Sequence, residues 1–450
     1  MQGTIVTFSV IAAILVLVIK PKYALALYIS LLIWFPDYLR ISIGTIDISV
    51  GRVVITVLLL RCLSNNRIRS KFSWSKLDKA VALNIAVCVG ITLMIQPKWS
   101  SIENRAGFIM DTWFAYMVAR LIITDKEKLI SVIKCVGVIL VPLAILGCIE
   151  ATTGWQPFLP LKRFRPWDPL VREVASNVRW GFVRAVGPFS HPILFGGGFT
   201  MFLPLIYCLR HEKNIWHMLA YILSGSAIIG ALSSMSSGPW IMLIVVLFCL
   251  FMERFSKWTM SMIKVFIFLC ISIQLFSNRN FYQVIFSYGS KFGGTGWHRA
   301  KLIDVAVSHF GEWWFAGYGN QDPGWGHYFG MTWTDVTNEY ILAGIRYGIA
   351  GVLVLCWVLY VAFSLLRAAY KKENQPYMKT VYWSLGSILF AVAVVWMSVD
   401  FFGQLIPIFY CMLGIMGASV MFQKDKKAKI HNKNVVQKTK NAVCGTALQI

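Results

Sequence analysis

Residues 1–22 read MQGTIVTFSVIAAILVLVIKPK. Positions 4–19 are mostly Ile, Val, Leu, Ala and Phe, and two lysines close the run. No basic segment precedes it and no small-residue cleavage site follows it. It therefore reads as a first membrane helix and not as a cleaved signal. A spanning helix needs roughly 20 mostly apolar residues. Working outward, similar runs recur at 23–36, 47–62, 79–96, 107–123, 128–149, 191–209, 216–233, 238–253, 259–277, 338–366, 379–398 and 401–421. The second and third are short, so 12 or 13 spans are expected. The expected fold is an all-α integral membrane protein, a polytopic bundle.

Composition agrees. Of 450 residues, 57% are hydrophobic and 14% charged. Soluble chains carry about a quarter charged residues. The deficit excludes an ordinary cytosolic enzyme and a disordered chain. Lys and Arg number 43 against 20 Asp and Glu, a formal charge of +23. In a membrane chain that surplus reads as orientation, because cations collect in cytoplasmic connectors. No nucleic-acid partner is expected. Eight of the ten cysteines lie in apolar runs, Cys62 and Cys444 lie in basic segments, and no CxxC occurs. Neither a metal site nor a disulfide framework is expected.

The basic connectors alternate. Lys20 and Lys22, Arg67 and Arg69, Lys126 and Lys128, Arg210 and Lys213, Arg254 and Lys257, and Lys371 and Lys372 fall after every second run. They are assigned to the cytoplasmic side, together with a basic tail, 422–450. Two long segments of the membrane domain 1–421 then fall outside, 150–190 and 278–337. The first carries Lys162, Arg163, Arg165, Arg172, Arg179 and Arg184 against Glu150, Asp168 and Glu173. Cations on the side where the rule predicts few point to a bound anion, with phosphate the natural candidate. The alternative is contact with lipid headgroups or loop carboxylates.

The first loop ends in His191-Pro192 at a helix start, where free N–H groups favour an anion. Gly196, Gly197 and Gly198 permit close approach of a lipid tail or a neighbouring helix. The second loop opens on WHRAKLIDVAVSHF (297–310), in which Leu302, Val305 and Val307 lie on the membrane or on the bundle. Glycines, aromatics, Asn320, His327, Asp335, Asn338 and Glu339 follow. Such a surface is either a sugar platform or an interfacial aromatic belt.

Three stretches carry a family resemblance: RAVGPFSHPILFGGGFTMFLPL (184–205), LSSMSSGPWIMLIV (232–245), and WHRAKLIDVAVSHFGEWWFAGYGNQ (297–321) leading to TNEYILAGIRYGIAGVLVL (337–355). In order and placement they resemble the O-antigen ligase and O-antigen/exopolysaccharide polymerase superfamily. There are two departures. Ser236-Ser237-Gly238 stands where many members have Ser-Arg-Gly, and Thr337 stands where ligases commonly place His before the Asn. The second departure favours polymerase over ligase.

The resemblance implies a GT-C-like fold and a metal-independent, inverting glycosyltransferase without cofactor, in the bacterial inner membrane with its site facing the periplasm. The implied donor is a glycan on undecaprenyl diphosphate. The acceptor is a lipid-linked repeat unit, or lipid A core for a ligase. Membrane lipids and a chain-length regulator are further candidate partners. On this reading Arg184 and Arg299 hold the diphosphate, assisted by Arg179 or Arg172. The base is one of Asp335, His327, Glu339 and His191, and Asn338 orients a hydroxyl or caps its helix. Arg346 lies near the site or pairs with Glu339, seven residues away on the same helical face. A flippase or other transporter is the competing class. The few charges within runs, Asp111, Arg120 and Arg346, favour an enzyme.

Overall fold

The computed structural model describes residues 2–70, 72–164, 178–290 and 296–422. Every apolar run is helical, and the chain is an all-α polytopic membrane protein. Two small antiparallel hairpins supply the strands found among the described residues, Arg40–Ile43 with Ile46–Ser49 and Val178–Arg179 with Phe182–Val183.

The span count differs from the expected 12 or 13. Among the described residues eight helices are long and apolar enough to cross a membrane, from Lys76–Ile95 to Leu405–Phe422. A ninth arises if Ser261–Phe276 and Phe281–Ser287, bent by 106°, form one broken span. The reason is length and charge. Gln2–Val18, Pro21–Trp34 and Val50–Ser64 have 17, 14 and 15 residues. At about 1.5 Å per residue these fall short of a hydrocarbon core roughly 30 Å thick. Helix 99–122 is interrupted by a π turn at Met110–Phe114 and carries Glu103, Arg105, Asp111 and Arg120.

The helices run up and down, which sorts the connectors into two ends. At one end lie the short basic connectors. There Arg61 Nη1 donates to the carbonyls of Val16 and Ile19 at 2.5 and 2.7 Å. Asp78 is fully buried there and forms a capping box with Ser75. It also accepts from Tyr116 Oη at 2.5 Å and from Arg120 Nε at 3.2 Å. At the other end lie the 40–49 hairpin, the two long loops and the 396–404 turn. Glu339 N donates to Trp396 O there at 2.9 Å. The basic tail lies outside the described residues apart from Phe422, which ends the last helix.

Helix Pro192–Cys208 runs through the core, with nearly all its residues buried. A Cβ on Gly196 would stand 2.5 Å from Ser234 Oγ, and one on Gly197 would stand 3.0 Å from Leu405. These glycines serve close helix packing, not a lipid tail.

The second loop folds into a cap. Leu302 and Val305 do not lie on a membrane surface. They form a small core with Ala306, Trp313, Trp325, Phe329 and Ile345, while Val307 is exposed. The cap locks into a break in helix Glu339–Lys372 at Gly348 (φ 64°, ψ −169°). Tyr318 N donates to Ile345 O at 2.6 Å, and Ile349 N donates to Trp314 O at 2.7 Å. A Cβ on Gly348 would stand 2.5 Å from the Phe315 carbonyl oxygen. Only glycine combines that φ with that approach. The two glycine-rich stretches, around 317–319 and 347–351, therefore meet in space.

Candidate functional site

Glu150 builds the base of the loop end. It is buried in the last turn of helix Lys126–Thr153, and its carboxylate accepts from the amides of Val186 and Gly187 at 3.1 and 2.9 Å. Ala185 N donates to Ser233 O at 3.1 Å. These bonds fix the turn that carries Arg184, whose Nη2 donates to Ser236 Oγ at 3.2 Å. Ser236 precedes helix Ser237–Met252. Arg184 thus joins the first two family-like stretches.

Arg179 sits on the 178–183 hairpin. The turn residues Trp180 and Gly181 have φ of 52° and 82°, and the Trp180 ring lies 5.3 Å from Trp240. That contact ties the hairpin to helix Ser237–Met252. Arg299 comes from the other loop, on helix Gly296–Ser308, and is buried. Burial chiefly lowers its pKa, the positive charge of Arg179 lowers it further, and Asp335 opposes both. Burial lowers Arg179 as well. The two loops therefore place the Arg299 guanidinium in the field of Arg179, with the Asp335 carboxylate opposing it. Among the described residues neither arginine has a carboxylate within ion-pair distance, and Arg299 Nε is buried without a hydrogen-bond partner.

His298 and Asp400 extend this field. His298 is buried against Phe329, with ring centroids 4.4 Å apart. Burial lowers its pKa, Asp335 opposes the shift, and Arg299 adds to it. Burial raises Asp400, in the 396–404 turn, to about 6; Arg346 opposes the shift and Asp335 reinforces it. Asp335 therefore acts on Arg299, His298 and Asp400.

The remaining expected residues separate. His327 is exposed in a short 3-10 turn. Its Nδ1 lies 2.8 Å from Gly324 O and its ring centroid 4.0 Å from that of Tyr328. None of its contacts reaches Asp335 or the arginines. His191 Nδ1 accepts from Ile193 N at 3.1 Å, which caps helix Pro192–Cys208. Asn338 is buried; its Oδ1 accepts from Tyr340 N and Ile341 N, both at 3.0 Å, and its Nδ2 donates to Met397 O at 2.8 Å. It is a helix cap with both ends of its amide engaged. Glu339 Oε2 accepts from Phe401 N at 2.9 Å. Glu339 and Arg346 line one cavity but form no ion pair. Arg172 lies outside the described residues.

Sequence reasoning passed over three residues. His298 stood beside Arg299, and Asp400 at an outer turn, without a role. Arg105, just ahead of the run at 107–123, was given no role. Among the described residues no three His, Cys, Asp or Glu side chains are placed to hold a metal ion.

Fold and site together define an all-helical polytopic membrane protein with a loop-covered, cation-rich end. Compared with protein-family models and with curated proteins, the chain matches none.

Proposed function

We propose that the chain is a metal-independent, inverting, GT-C-like glycosyltransferase. It polymerises undecaprenyl-diphosphate-linked glycan repeat units at the outer face of the bacterial inner membrane. The observation that carries this reading is the buried Arg299, unpaired at Nε and in the field of Arg179 from the other loop, neither with a carboxylate in ion-pair contact among the described residues. Two such groups fit a diphosphate, which offers oxygens to both forks.

In the proposed reaction an acceptor hydroxyl attacks the anomeric carbon from the face opposite the leaving group. The new carbon–oxygen bond forms as the bond to the diphosphate breaks, and the electron pair leaves on the lipid diphosphate. The hydroxyl proton passes to Asp335. The transition state has oxocarbenium character, as in other glycosyl transfer. Negative charge grows on the leaving group, so Arg299, Arg179 and Arg184 stabilise the transition state more than the ground state. Asp335 is preferred as base over His327 because its charge acts on Arg299. Asp335 must also come within hydrogen-bond reach of the hydroxyl in the loaded enzyme.

The glycan profile of cells lacking the protein tests the proposal. Single repeat units on lipid A core are expected. Full chains stranded on undecaprenyl diphosphate would make the chain a ligase, and loss of outward lipid-linked glycan would make it a flippase.

A further inference from the structure

Below the cap, the loop-end half of the bundle encloses a cavity of about 100 Å³. Its walls come from helices 76–95, 99–122, 339–372 and 405–422 and from the 396–401 turn. The polar lining consists of Asn84, Arg105, Glu339, Arg346, Tyr347 and Tyr410. Arg179, Arg184 and Arg299 take no part in it.

Arg105 is 5% exposed. Its Nη1 donates to Tyr347 Oη at 2.8 Å and its Nη2 to Asn104 Oδ1 at 2.5 Å. Both acceptors are neutral. Its Nε is buried with no hydrogen-bond partner. The ring of Phe108 lies 4.9 Å from the guanidinium carbon. Arg346 is exposed, so the cavity opens to the bundle surface on that side. Among the described residues neither Arg105 nor Arg346 has a carboxylate in ion-pair contact. The one acid in the wall, Glu339, gives Oε2 to the Phe401 amide. Asn84 Nδ2 donates to Tyr410 Oη at 3.0 Å.

The cavity thus presents two guanidinium groups and one carboxylate. An unpaired cation inside a membrane bundle is costly and marks a functional site by default. The charge that complements these groups is that of an oxyanion, which guanidinium groups hold through paired N–H bonds. The volume suffices for a tetrahedral group with a few waters, each of which takes about 30 Å³ in the liquid. The carboxylate selects further. In its ionised form Glu339 can accept a proton-bearing oxygen but repels a fully deprotonated anion. Inorganic phosphate keeps such a proton near neutral pH and a phosphomonoester keeps it in part, its second pKa lying at about 6, whereas sulfate has none.

We propose that this cavity is a binding site for a protonated phosphate group, either free phosphate or a phosphomonoester lipid head, held by Arg105 and Arg346 and selected by Glu339. The proposal does not rest on glycosyl transfer.

The test uses the full chain in phosphatidylcholine nanodiscs, in an Arg299→Gln background so that phosphate at the loop arginines is not counted. Radiolabelled inorganic phosphate should bind saturably, and sulfate at least tenfold more weakly. Arg346→Gln alters an exposed residue and should weaken phosphate binding at least tenfold while the protein stays folded. Arg105→Gln should do the same to binding. Glu339→Gln should narrow the gap between phosphate and sulfate. Doping the nanodiscs with phosphatidic acid distinguishes the sources. Suppression of phosphate binding identifies a lipid head, and unchanged binding identifies free phosphate. No saturable phosphate binding, equal binding of sulfate, or full binding with Arg346→Gln would each overturn the proposal.

Discussion

The two ends of the bundle treat buried charge in opposite ways. At the basic end Arg120, Lys134 and Arg210 meet carboxylates, while Arg61 binds backbone carbonyls. Asp78 meets Arg120 at 3.2 Å, Lys134 meets Glu212 at 2.8 Å, and Arg210 meets Glu253 at 2.7 Å. At the loop end Arg105, Arg179 and Arg299 have no such partner among the described residues, and Glu339 is engaged with a backbone amide instead. Arg52 is the loop-end exception, bound to Asp111 at 2.7 Å where the π turn carries that acid. Stability alone would favour pairing everywhere, since an uncompensated buried charge is destabilising. The contrast therefore separates charges that hold the bundle together from charges held ready for an anion.

The largest effect is expected at the paired end. Arg120→Ala leaves Asp78 buried without its cation, and Asp78 is fully buried. Breaking one side of such a pair costs about 3–5 kcal/mol. A thermal or denaturant melt of the purified protein should show that loss whether or not phosphate or lipid-linked glycan is present. A melt unchanged by Arg120→Ala would erase the distinction between the two ends.

Arg299→Gln should do the reverse. The fold should melt at the same temperature or higher, because a desolvated cation is removed. Polymer formation from lipid-linked repeat units should fall by roughly a hundredfold, the effect of about 3 kcal/mol from one well-placed donor. Arg299→Lys should recover little, because one ammonium cannot reproduce a bidentate fork. Wild-type polymer from Arg299→Gln would remove the loop arginines from the reaction.

The sequence carried the fold further than the site. Each apolar run became a helix because composition and periodicity are local properties. The span count did not follow, since a 15-residue run such as Val50–Ser64 and a spanning helix differ in length, not in character. Arg184 and Arg179 were singled out because arginines in a loop expected outside contradict the charge rule, and Arg299 because of the family resemblance. The helix-capping bonds of His191 and Asn338 were legible as one alternative, from their places before a helix start. Arg105 was not legible. Its isolation depends on what helices 76–95, 339–372 and 405–422 fail to place beside it, and no local pattern records that. That Asp335 acts on both His298 and Asp400 likewise depends on the folded loop and on no local pattern.

That docking gives a third, smaller test. Gly44 and Gly348 have nearly the same φ, 62° and 64°, but a Cβ on Gly44 meets nothing within 4 Å. Gly44→Ala should cost only the left-handed backbone penalty, about 1–2 kcal/mol. Gly348→Ala adds the clash with the Phe315 carbonyl and should cost more, while loosening the cap. Hydrogen exchange at Tyr318 and Ile349, whose amides bridge the break, should accelerate in Gly348→Ala and stay unchanged in Gly44→Ala. Equal exchange in both variants would mean that the break at Gly348 does not secure the cap.

A fourth test is a pH dependence at the loop end. Asp400 is raised from 3.8 to about 6, chiefly by burial. An acid with a raised pKa binds its proton more tightly in the folded state than in the unfolded chain. Between pH 3.8 and about 6 the folded protein therefore holds a proton that the unfolded chain has released. Stability falls as pH rises through that window and levels off above it. Asp400→Asn removes this contribution. The melting temperature of the variant minus that of the parent should be near zero below the window, climb across it and stay constant above pH 6. Arg346→Gln should steepen the parent's fall, because Arg346 favours the ionised form, and Asp335→Asn should soften it, because Asp335 opposes ionisation. A difference independent of pH would show that Asp400 is not desolvated, and the link from Asp335 to Arg346 through it would be lost.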